Sequence, residues 1–159
     1  MKKKTFAIFI AVLIVLLLVS SIISIMSLNS YTKHRRLFIN DVYNSLKTIE
    51  EELGKFDEKN TDRIMHLVVE FAVLDKLCDT QRKYTNGAFY YENKGKFSII
   101  SENILSGKYG DAEIELLQKI ISNTLVKLSD STGLKENEHL SYKQVSVILG
   151  NMFSKIDDL

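Results

Sequence analysis

Residues 5–26 hold no charged side chain, and their only polar residues are Thr5, Ser20, Ser21 and Ser24. The run follows Lys2, Lys3 and Lys4, and the next charge is Lys33. No other feature constrains the chain as strongly. As a helix this run is about 33 Å long, enough for a hydrocarbon core of about 30 Å. Its Leu, Ile, Val and Phe residues each favour insertion by about 0.3–0.6 kcal/mol, several kcal/mol in all.

A cleaved leader needs a shorter apolar core and small residues before the cut. Val19-Ser20-Ser21 is the best available site, and the chain returns to Ile22, Ile23, Ile25 and Met26 after it. No cysteine follows to carry a lipid. The segment therefore reads as a retained anchor; the competing reading is a secreted helical protein after cleavage. Both flanks are basic: Lys2, Lys3 and Lys4 before the run, Lys33, Arg35 and Arg36 after it. All six are expected to meet the bilayer surface. The far cluster stands back from the apolar core, and the fully basic tail resists translocation. The expected topology is single-pass in the cytoplasmic membrane, N-terminus inside and body outside. That divides the chain into a basic tail (1–4), an anchor (5–26), a juxtamembrane segment (27–38) and a helical domain (39–159).

Past the anchor the pattern is helical. Ile39, Val42, Leu46, Ile49, Leu53 and Phe56 alternate spacings of 3 and 4, one apolar seam. The seam is short for a coiled coil and suits packing inside a bundle. Helices are expected over about 36–55, 61–84, 111–129 and 141–156. Asn60 or Thr61 can cap the second, and Asp111 the third. Ser141 with Gln144 forms a capping box for the fourth. The second has a wide apolar arc around 67–74, which suggests packing on more than one side. Between 86 and 110 two patterns compete: a hairpin or irregular stretch over 88–96, and a short helix over 98–106 ending at Gly107.

This is an all-α chain: a transmembrane helix, then an antiparallel four-helix bundle-like domain, with room for a small hairpin in the 86–110 connection. In organisation alone it resembles the extracytoplasmic four-helix sensor modules of bacterial receptors. Such receptors return through the membrane to an output domain. The 159 residues contain no second apolar span, so a receptor acting alone is not expected.

Function is narrowed mainly by exclusion. Net charge is +1; without Lys2, Lys3 and Lys4 it becomes −2. A near-neutral body has no footprint for nucleic acid. Lysine outnumbers arginine, and Ile and Asn are abundant, the bias of an AT-rich bacterial genome. Cys78 is the one cysteine, so no intramolecular disulfide forms; it continues the Leu67-Phe71-Leu74 row and should be an inert core thiol. No phosphate loop, paired-cysteine motif or nucleophile elbow is present. No cofactor is implied, no catalytic residue stands out, and an enzyme is not expected.

Two groups have a binding reading. Asp62, His66 and Glu70 fall four residues apart on one helix face, all metal-ligand types; a solvated polar face is the simpler reading, and no metal site is assigned. Phe89-Tyr90-Tyr91 lies in the longest connection and is the best candidate contact surface, weighed against rings that merely cap the core. His34 suits a headgroup contact, and His139 sits in a polar loop. The leading expectation is a non-enzymatic, membrane-anchored helical protein. It binds a protein or ligand, or self-associates, as an accessory or subunit of a bacterial envelope assembly. Two further readings are a pilin-like filament subunit and a small metal-binding or hydrolytic protein centred on His66. A pilin would have a small processing residue before Phe6, an early glutamate and a β-rich body.

Overall fold

A computed structural model describes residues 2–57, 59–80, 95–129 and 140–159, with the backbone alone for 2–9 and 11. Among these residues the chain is all-helical: α1 (Lys2–Leu53), α2 (Thr61–Thr80), α3 (Lys96–Leu105), α4 (Asp111–Ser129) and α5 (Tyr142–Ile156). It divides into two compact units, Met1–His34 and Arg35–Leu159.

The first unit is a length of α1. α1 is long and apolar enough to cross a membrane, and none of its most apolar window is buried by the rest of the chain. Ile14, Leu16, Leu17, Leu18, Ile22 and Ile25 are each at least half exposed. Ser21 Oγ donates to the carbonyl of Leu17 at 2.8 Å. That bond pairs the hydroxyl within its own helix.

The second unit is a helical bundle with one apolar core. The seam read from the sequence supplies one wall: Ile39, Val42, Leu46 and Ile49 are fully buried and Leu53 nearly so. Burying each such side chain stabilises the fold by about 1.5–3 kcal/mol. α2 packs on α3, and α4 packs on α5. The walls are joined by rings. Phe97 of α3 sits 6.1 Å from Phe71 of α2 and 4.9 Å, edge-on, from Phe153 of α5. Phe38 of α1 lies 5.6 Å from Tyr142 of α5. Polar contacts tie the surface: Gln118 Nε2 donates to the Glu50 carbonyl at 3.4 Å. Gly54, just past α1, lets that amide approach; a Cβ there would lie 2.7 Å from it.

Helix ends follow local chemistry. Asn60 caps α2, its Oδ1 accepting from the Arg63 N–H at 3.2 Å. Ser141 and Gln144 form the reciprocal capping box, with Gln144 N–H on Ser141 Oγ at 3.2 Å and Ser141 N–H on Gln144 Oε1 at 2.8 Å. Asp111 is not a cap. It is the first residue of α4, and the preceding Gly110 donates its N–H to Glu113 Oε2 at 3.0 Å. Ser141→Ala should cost about 0.5–2 kcal/mol, read as a lower urea midpoint of the full chain in mild detergent.

The 86–110 region resolves in part. Residues 96–105 are helix α3, two residues earlier than the 98–106 expected, and no strand occurs among the described residues. Residues 88–94, the stretch that could form a hairpin, lie outside the described residues. Ser106 is the C-cap of α3, and Gly107 follows it with a left-handed φ of +66°. The Lys108 N–H then reaches back to the Asn103 carbonyl at 3.0 Å, the closing pattern that favours glycine.

Candidate functional site

Three places bear on function. The first is the exposed apolar length of α1 with its basic flanks. Lys2, Lys3 and Lys4 begin α1. Beyond the apolar run, Lys33, His34 and Arg36 are exposed and Arg35 is half-buried. Thr32 Oγ1 donates to the Leu28 carbonyl at 3.0 Å, so the polar onset keeps its helix.

The second is the Asp62-His66-Glu70 strip. Asp62 and His66 are exposed and Glu70 is half-buried. Asp62 and His66 border an open depression of about 390 Å³ with Glu52, Asn60 and Arg63. Arg63 Nη1 stands 3.8 Å from Glu52 Oε2. The neighbours brought in from α1 are thus an acid already facing a base. Among the described residues no three His, Cys, Asp or Glu side chains come together to hold a metal ion. The depression is open to solvent, and the Arg63–Glu52 ion pair lies on its lining.

The third was not legible in sequence. A cleft of about 150 Å³ lies between α3, the 106–110 connection and the end of α5. Ile100, Phe153 and Ile156 line it, with Asn103 and Lys108. Lys96 and Asp157 pair beside it, 61 residues apart in the chain. Both termini of that bridge look like ordinary surface charges in sequence. Only the approach of α3 to α5 joins them.

Phe89, Tyr90 and Tyr91 lie outside the described residues, as does His139. Cys78 is placed where its row implied. It is 3 % exposed, and burial pushes its thiol up to about 12, with the Asp75 carboxylate adding to the shift. A thiol held protonated is a poor nucleophile. The buried hydroxyls of Ser101 and Thr124 bond within their own helices, to the carbonyls of Phe97 (3.0 Å) and Ile120 (2.8 Å). They are therefore satisfied structural groups.

The thiol gives a pH prediction. An unfolded cysteine ionises near pH 8.5, whereas folded Cys78 keeps its proton to about 12. Between those values the unfolded state binds fewer protons, so its stabilising effect is full below about pH 8.5 and falls as the pH rises. The urea midpoint should drop between pH 8 and 10.5, more steeply for the wild type than for Cys78→Ala. In the native chain at pH 8, Cys78 should resist a soluble thiol reagent and react fully in denaturant.

No family model, no curated protein and no solved structure matches this chain.

Proposed function

We propose that this chain is a single-pass membrane protein whose helical body lies outside the cytoplasmic membrane. The body acts there by binding, as an accessory or subunit of a bacterial envelope assembly. The second half of α1 with α2, α4 and α5 would form an antiparallel four-helix frame, with α3 closing one side. The observation that carries the reading is the wholly exposed apolar window of α1. Side chains such as Leu16 (63 % exposed) and Ile23 (61 %) find no cover within the chain. A patch of that size in water marks a membrane or a partner, and its length matches a bilayer.

The balanced charge and the absence of a recognisable catalytic motif favour a binding role over a reaction. No nucleic acid is proposed as a partner. The exposed strip at Asp62 and His66 is assigned no metal. Lys2, Lys3, Lys4, Lys33, Arg35 and Arg36 would bracket the bilayer as headgroup contacts.

The test joins two measurements in whole cells. Intact mass of the native product shows whether the N-terminus stays. An impermeant thiol reagent then probes Ser154→Cys, an exposed position on α5, in a Cys78→Ala background. A mass near 18.2 kDa with labelling supports the proposal. A product beginning near Ile22 would replace the anchor with a cleaved leader and a secreted helical protein. Intact mass without labelling would put the body inside the cell.

A further inference from the structure

One turn gathers three polar residues at the cleft beside α3. After the left-handed Gly107 the chain folds back, and the Lys108 and Tyr109 N–H groups both donate to the Asn103 carbonyl, at 3.0 and 3.3 Å. Asn103, Lys108 and Tyr109 then line the cleft together. Its apolar floor is Ile100, Phe153 and Ile156, each no more than 5 % exposed. Tyr109 is also only 5 % exposed. Its hydroxyl is nevertheless not sealed from solvent, and it makes no hydrogen bond among the described residues. The charge is one-sided. Asp157, the acid lining the cleft, is held by Lys96. Lys108 is exposed and pairs with no carboxylate among the described residues. The cleft thus sets one uncommitted cation, a phenol and a carboxamide around an apolar floor.

We propose that this cleft binds a small aromatic monocarboxylate. The ring would lie on Ile100, Phe153 and Ile156, and the carboxylate would accept from Lys108 Nζ, Tyr109 Oη and Asn103 Nδ2. Size limits the apolar part. A space of about 150 Å³ takes a group of about the size of benzene, so a long acyl chain does not fit. The Phe153 ring on the floor favours an aromatic group, because ring pairs gain beyond area burial. Charge selects the polar part. A carboxylate is attracted to Lys108 and can accept from all three donors. A cation would be repelled by Lys108, and a neutral ligand would forgo the charge contact. The inference rests on reading the body as a binding unit and names the site and the ligand class.

The probes are 4-fluorophenylacetate and its neutral amide, followed by fluorine NMR with the full chain in zwitterionic nanodiscs and with empty discs. The acid should bind with a Kd of roughly 1 mM, in keeping with so few heavy atoms. It should bind about fivefold tighter than the amide, the effect of one exposed charge contact. Lys108→Gln should erase that preference and Lys108→Glu should reverse it. Comparing the acid–amide ratio between chains cancels any partitioning of the probes into lipid. Tyr109→Phe keeps the buried ring and should weaken the acid about threefold. Asn103→Phe should fill the cleft and abolish binding of both probes, with circular dichroism checking that each variant stays helical. No binding beyond empty discs, equal binding of acid and amide, or a preference that survives Lys108→Gln would overturn the proposal. So would tighter binding of N-acetylphenylalanine, which would give the cleft to the C-terminus of a peptide. Failure here leaves the intact mass and the labelling of Ser154→Cys untouched, so the two readings fail separately.

Discussion

Replacing Leu16 and Leu17 together by lysine should move the chain from the membrane pellet to the alkaline-carbonate supernatant. Each lysine at the centre of a spanning helix costs about 2.5–3.5 kcal/mol and forfeits the ~0.3–0.6 kcal/mol that leucine contributed. The pair therefore opposes insertion by roughly 6–8 kcal/mol, comparable with all that the remaining apolar residues supply. Both leucines are about 60 % exposed, Leu16 at 63 % and Leu17 at 60 %, so the substitution removes no core packing. The body should therefore keep its helical signal while the location changes. Retention of the double variant in carbonate-washed membranes would count against α1 as the anchor. The control is Val147→Lys on α5, at 55 % exposure, which should leave the pellet unchanged.

Phe97→Ala should destabilise the second unit by about 3–5 kcal/mol, the range for deleting a buried aromatic side chain. Phe97 is fully buried and packs on Phe71 and Phe153 at once. Its removal leaves a cavity facing α2 and α5 and breaks two ring pairs worth about 0.5–1.5 kcal/mol each beyond burial. Much of a domain's typical 5–15 kcal/mol would be lost. Urea unfolding of the full chain in mild detergent, followed by circular dichroism, measures it. Ile99→Ala on the same helix is the comparison. Ile99 is 52 % exposed, so its loss should stay near 0.5 kcal/mol. Similar losses for both would mean that α3 contributes no central ring to the core.

Much of the architecture could be read from periodicity. The Ile39–Leu53 seam is buried throughout because alternating spacings of 3 and 4 leave a helix a single apolar face. The Ser141–Gln144 capping box formed because its bonds are local, needing only residues three apart. Asn60 capped α2 for the same reason. Local rules were less decisive around 86–110, where KFSII suits a strand or a helix. The contact of Phe97 with α2 and α5 favours the helix, and α2 and α5 are distant in sequence. At Asp111 the signal was right in kind and one residue out, since Gly110 takes the preceding position.

The candidate sites divide along the same line. The exposure of Asp62 and His66 follows from their helix face, but the Arg63–Glu52 pair beside them depends on α1 reaching α2. The wide apolar arc of α2 around 67–74 suggested packing on more than one side, but only the side of Leu67, Phe71, Leu74 and Cys78 is buried. Which residues stay open, Met65, Val69 and Val73, depended on where α3 and the rest of the core lie.

By itself, then, the sequence determined a long apolar helix, amphipathic helices after it, and their caps. These follow from spacings within a few residues, where hydrophobic periodicity and backbone hydrogen bonding act alone. Tertiary structure decided that Phe97 is a keystone, that Lys96 finds Asp157, and that one apolar ridge of α2 stays open. Those outcomes depend on which surfaces meet across the bundle, and burial is a property of the meeting, not of the residue.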